Sequence, residues 1–99
     1  MTKFKFEVNG KFITSIVMSE EEFETLLGQI ANGDPVVNVR TGGRMKSEDI
    51  EALRQAKHVP FIGRGSKTEF LFQSYDVETS VMSIIVRGQG QKVLNQFAN

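Results

Sequence analysis

The sequence predicts a single α+β domain over residues 1–99, built on a small antiparallel or mixed sheet of about 4–5 strands. Three observations predict this fold class: an Asn-Gly turn between two alternating segments, an amphipathic helical segment behind a capping box, and two β-rich segments in the last third of the chain. We expect an N-terminal β-hairpin, two main helices packed on one side of the sheet, and a short helix that could form at the C-terminus.

The hairpin is the first element. Residues 3–8 and 11–18 alternate apolar and polar side chains on either side of Asn9-Gly10. Both turn residues tolerate the positive φ that a two-residue turn requires, so this dipeptide is a strong hairpin signal. A two-residue turn would place Phe6 opposite Ile13.

The returning strand of this hairpin carries apolar side chains on both of its faces. On the expected register, Ile13 and Val17 share the face of Phe6. The opposite face then holds three more apolar residues, which are Phe12, Ile16 and Met18. Because the core of a thin sheet needs only one apolar face, we expect these three residues to form a subunit or partner interface unless the helices cover them.

The first helix has the clearest signals in the chain. Ser19 can act as the N-cap and Glu22 can return a hydrogen bond from position N3, as in a capping box. Apolar residues then recur at helical spacing, at Phe23, Leu26, Leu27 and Ile30. The helix is expected to end at Asn32-Gly33, because glycine suits the left-handed position after a helix.

The middle of the chain predicts a strand and a second helix. Residues 36–41 are rich in β-branched side chains, and Gly42-Gly43 could turn the chain into a short returning arm. Ser47 can cap a helix over residues 48–57, which Pro60 prevents from continuing. This helix has a thin apolar face, so we expect it at the periphery of the fold.

The last third predicts two strands and a terminal helix. Residues 61–67 are expected to form a glycine-rich loop, and residues 68–75 and 77–87 are expected to form strands. The second strand is apolar on both faces, which favours a central position. Residues 91–98 could form a short helix after a glycine-rich break.

Composition excludes several classes of protein. The chain has no cysteine, which removes disulfides, thiolate nucleophiles and cysteine zinc sites, and fits the reducing cytoplasm. Lysine and arginine balance aspartate and glutamate at twelve each, so nothing opposes self-association and the charge of a dedicated nucleic-acid binder is missing. No apolar run reaches the length of a signal peptide or a membrane span.

Catalytic chemistry has little support in the sequence. His58 is the sole histidine, and its place at a helix C-terminus accounts for it through the helix dipole. The loop over residues 61–68 departs from the spacing of a phosphate-binding loop, although its glycines could still bind a small anion such as a nucleotide or phosphate. We expect no catalytic residues, no metal site and no cofactor.

A moderate cluster of basic residues offers an alternative function. It spans the second third of the chain and includes one aromatic ring that could stack on a base. The candidate binding residues are Arg40, Arg44, Lys46, Phe61, Arg64 and Lys67. Acidic residues interrupt the run, so solvated surface charge is the favoured interpretation and nucleic-acid binding is the alternative.

The sequence therefore favours a small non-enzymatic binding or regulatory protein that acts through protein–protein contacts and self-associates as a homo-oligomer. Its compact, cysteine-free composition is typical of accessory proteins of bacteria or their phages. The two alternatives are a nucleic-acid-binding module and a small-anion-binding protein.

Overall fold

A computed structural model of the chain describes residues 2–55, 59–65 and 67–97. It contains one six-stranded mixed sheet with strand order β2-β1-β6-β5-β4-β3. The strands are β1 Thr2–Val8, β2 Lys11–Met18, β3 Val36–Asn38, β4 Phe61–Gly63, β5 Thr68–Asp76 and β6 Val81–Gly88. The helices are α1 Glu20–Ile30, α2 Ser47–Arg54 and α3 Gly90–Asn95. Only β1 and β6 pair in parallel.

The expected sheet of 4–5 strands with two main helices was wrong. The sheet has six strands because Phe61–Gly63, expected as loop, pairs with both β3 and β5. The short helix that could form over residues 91–98 is present as α3, Gly90–Asn95, and makes three helices in all among the described residues; it packs on α1 and β6 and buries Leu94. The central position expected for β6 is confirmed, since it lies between β1 and β5.

Several predicted elements have different bounds. The strand predicted over residues 77–87 is β6, which begins at Val81, because residues 77–80 form a turn. The strand predicted over residues 36–41 ends at Asn38, although the expected turn and returning arm do form. The helix α2 begins at Ser47 itself rather than after it, with Lys46 as N-cap, and it ends at Arg54.

The hairpin register was also predicted wrongly. The Asn9-Gly10 turn pairs Val8 with Lys11 as expected, but Phe6 then lies opposite Thr14 instead of Ile13. The extra residue is Ile13, which forms a β-bulge in β2. Beyond the bulge, the residues expected on the core face of β2 lie on the outer face, and those expected on the outer face lie on the core face.

The core occupies one face of the sheet. Phe4 and Phe6 of β1 are fully buried there, and the ring of Phe4 stacks on Phe23 of α1 with the centroids 3.9 Å apart. Helices α2 and α3 contribute to the same cluster through Ile50 and Leu94. Because the buried apolar residues of all three helices belong to this cluster, none of these helices covers the other face.

Two polar contacts hold the helices in position. In the confirmed capping box, the hydrogen bond from the backbone N–H of Ser19 lowers the pKa of Glu22. Arg54 of α2 reaches α1 through an ion pair with Glu20 at 2.6 Å. Partial burial alone would lower the pKa of Arg54, but its bonds to Glu20 and Glu51 raise it.

The junction between β6 and α3 requires glycine. Gly88 has a φ of +81°, and a Cβ atom there would collide with the carbonyl oxygen of Lys67. Gly42 has a similar φ of +74° but open space around it. Alanine at Gly42 would therefore report the cost of the positive φ alone, whereas alanine at Gly88 would report that cost together with the clash.

We expect Gly88→Ala to destabilise the fold by about 3 kcal/mol or more, whereas Gly42→Ala should cost about 1–2 kcal/mol. Urea unfolding followed by circular dichroism measures both. Equal losses in the two variants would show that the close approach at Gly88 relaxes without penalty.

Candidate functional site

The β3–β4 pairing connects the two segments that carry the cations selected from the sequence. Arg40, Arg44 and Lys46 follow β3, while Arg64 and Lys67 follow β4, and all five side chains are exposed. These five residues are called the basic corner. The Nη2 atom of Arg64 donates to the carbonyl oxygen of Gly42 at 3.0 Å and so links the two segments.

The side chain of Asn38 orders the turn that carries Arg40, the first residue of the basic corner. Its Oδ1 accepts hydrogen bonds from the backbone N–H of Arg40 at 2.8 Å and of Thr41 at 3.4 Å. Its Nδ2 donates to Asp49 of α2 at 3.4 Å. These bonds turn the chain away from the strand path, which explains why β3 ends earlier than its β-branched residues predict.

In the part of the chain that the structure describes, the basic corner forms no ion pair with a carboxylate. Among the described residues, the Lys and Arg side chains that form ion pairs are Lys5 and Arg54. The aromatic member of the predicted set lies elsewhere, because Phe61 is 1% exposed and packs edge-on against Phe72. Its ring is therefore not available for stacking on a base, and the nucleic-acid alternative depends on the cations alone.

The three predicted interface residues do not share one exposed face. Met18 is only 4% exposed, and Ile16 packs against the core cluster. Phe12 is 52% exposed on the outer face opposite Glu7, and Val17, which is 56% exposed, lies further along the same face opposite Lys3. The bulge at Ile13 causes this exchange, because it turns Ile16 and Met18 inward and Val17 outward.

The two edges of the sheet differ. At one edge, β3 has three residues, and the returning arm covers it through a bridge from Val37 to Arg44 and a bond from Met45 N to Val36 O at 3.1 Å. At the other edge, β2 has eight residues and pairs with β1 alone among the described strands. We call the side of β2 that faces away from β1 the β2 edge.

Apart from the bulge at Ile13, the β2 edge lacks the usual protection of an edge strand. Its sequence contains no proline or glycine, and its single charged residue is Lys11 at the start. Natural edge strands commonly use charged side chains, proline or short length to prevent pairing with another chain. The β2 edge therefore offers a row of backbone donors and acceptors to an extended segment.

A groove runs beside the second half of the β2 edge. It has a volume of about 470 Å³ and lies between β2 and α1. Its lining combines apolar side chains with two glutamates and is formed by Ile16, Val17, Met18, Glu21, Glu22, Thr25, Leu26 and Gln29. An extended segment on the β2 edge would place alternate side chains into this groove.

The outer face next to the edge is partly apolar. The register places Leu71, Ile85, Glu7 and Phe12 side by side across four strands. The Nζ atom of Lys5 lies 5.9 Å from the centre of the Phe12 ring and 3.6 Å from the carboxylate of Glu7. These contacts hold Phe12 in place on the exposed side of the edge.

Other candidate chemistry finds little support in the structure. Within residues 2–55, 59–65 and 67–97, no group of three or more His, Asp or Glu side chains could hold a metal ion. His58 and Ser66 lie outside the described residues. In the loop proposed for anion binding, the backbone N–H of Arg64 already donates to Pro35 at 2.7 Å.

No helix in the described part of the chain is long and apolar enough to cross a membrane.

Comparisons with protein-family models, curated proteins and solved structures give no match. The functional argument is therefore built from the residues and their geometry.

The nucleic-acid alternative makes a separate prediction for the basic corner. If these cations bind phosphates, Arg44→Ala with Arg64→Ala should weaken binding to a labelled single-stranded oligonucleotide and lower the salt slope by about 1.4. Fluorescence anisotropy over a salt series measures this. The matched control is Lys3→Ala with Lys92→Ala, which removes the same charge elsewhere, and equal binding by both double variants would contradict a site at the corner.

Proposed function

We propose that the chain is a small non-enzymatic binding or regulatory protein that acts through protein–protein contacts, and that the β2 edge is its contact surface. The partner supplies an extended strand, which adds to the sheet beside β2. Self-association, which the sequence favours, would use this same edge. The absence of cysteine favours the cytoplasm as its compartment.

The observation that carries the proposal is the difference between the two edges. The β3 edge is short and covered, whereas the β2 edge is long, free of proline and open. Strand addition satisfies the backbone groups of an open edge, and side-chain pockets beside the edge provide selectivity. The groove next to β2 is such a pocket.

Side chains on the outer face add affinity to this contact. Full burial of a Val or Phe side chain contributes about 1.5–3 kcal/mol. Phe12 and Val17 are about half exposed, so covering them would contribute about 1 kcal/mol each. Together with the backbone bonds, this supports a specific contact of moderate affinity.

Nucleic-acid binding at the basic corner is the second candidate function. Its support is that the five cations lack carboxylate partners among the described residues. It ranks below protein binding because Phe61 is buried and the chain has no net charge. Small-anion binding in the loop after β4 ranks lowest, since the N–H of Arg64 is already bonded.

A pair of valine substitutions tests the β2 edge. Val17 and Val77 are both exposed, at 56% and 75%, but Val77 lies in the turn before β6, outside the edge. Peptides of eight residues are selected from a displayed random library on sparsely immobilised protein. We expect Val17→Lys to weaken their binding about tenfold or more, because lysine on an edge strand opposes strand addition.

Val77→Lys is the matched control and should bind the selected peptides as the unaltered protein does. Circular dichroism checks that both variants fold, as expected for exposed positions. Peptides that bind both lysine variants equally well would show that the β2 edge is not the contact surface.

A further inference from the structure

We propose that the partner of the β2 edge is a second copy of this chain, added antiparallel across a two-fold axis close to Ser15. The two sheets would then join into one continuous sheet. This inference rests on the proposed function and names its partner and geometry.

The charges along the edge argue for this arrangement. Lys11 stands at the start of β2, while Glu21 and Glu22 line the groove at its end. Antiparallel pairing brings the basic end of each copy to the acidic end of the other, so the attraction occurs twice. Parallel pairing would place like charges together at both ends.

Glu21 is the acidic residue available for this contact. Glu20 is already paired with Arg54 at 2.6 Å, and one oxygen of Glu22 accepts the hydrogen bond from Ser19 at 3.1 Å. Glu21 and Lys11 are both exposed and form no ion pair within the described residues. The two groups are therefore free to meet across the axis.

The faces of the strand also match. An axis at Ser15 places Ile16 opposite Thr14 of the second copy, and both residues point to the core side. Because of the bulge, Lys11 lies three ladder positions from Ser15, as Met18 does on the other side, so it stands opposite Met18 of the second copy, which lines the groove together with Glu21. The bulge at Ile13 limits close pairing to the middle of β2.

The geometry also limits assembly to two copies. Each chain has one open edge, because the returning arm covers β3. A two-fold contact uses the open edge of both copies and leaves none for a third chain. The expected species is a closed dimer rather than a filament.

A charge exchange tests the arrangement by sedimentation velocity over a concentration series. We expect Lys11→Glu and Glu21→Lys each to weaken the dimer about tenfold, because each change turns two attractions into repulsions. Mixing the two variants should restore dimers, since position 11 of each then faces an opposite charge at position 21 of the other. Lys92→Glu and Glu78→Lys, at exposed sites away from β2, are the matched controls and should dimerise normally.

Each outcome has a distinct meaning. Weakening in both variants with recovery in the mixture supports the two-fold arrangement. A dimer that Val17→Lys disrupts but the charge exchange leaves unchanged overturns the arrangement and retains the β2 edge. An unaltered protein that stays monomeric overturns the second copy as partner, while library peptides that respond to Val17→Lys would still support the edge. A dimer that Val17→Lys leaves unchanged overturns both the two-fold arrangement and the β2 edge as the contact surface.

Discussion

The pairing of β1 on both of its sides decides where the rest of the chain can lie. β6 adds in parallel on one side and β2 in antiparallel on the other, so β1 is internal although it comes first in the chain. Its phenylalanines are fully buried, and Phe4 supports α1 through ring stacking on Phe23. β6 occupies the inner side of β1, and the remaining strands add beyond β6, so β2 is left at the edge of the sheet. The open edge is therefore a consequence of the parallel contact.

Much of the local structure could be predicted from the residues. The capping box at Ser19 and Glu22, the apolar stripe of α1 and the Asn9-Gly10 turn depend on neighbours a few positions apart, and all three are present. The bulge at Ile13 could not be read in this way, because the turn fixes only the first pair of the ladder. The strand Phe61–Gly63 was missed because its two neighbours in the sheet, rather than its own residues, make it a strand.

The candidate site was predictable only in part. Sequence reasoning selected Phe12 correctly as an exposed apolar residue, but it grouped Phe12 with Ile16 and Met18, which the bulge turns toward the core. It assigned Val17 to the core side for the same reason. Phe61 was selected for its basic neighbours, yet the β4–β5 pairing places its ring beside Phe72. Whether an edge is open depends on the whole strand order, which no local pattern contains.

The parallel contact between β1 and β6 also affects how the chain is made. The ribosome adds about 5–20 residues per second, so the hairpin and α1 leave it several seconds before β6 is complete. During that interval β1 as well as β2 has an open edge, and the face that carries Phe6 is only partly covered. The nascent protein is therefore most prone to aggregation while it is still being synthesised, and protection by a chaperone would matter most before β6 emerges.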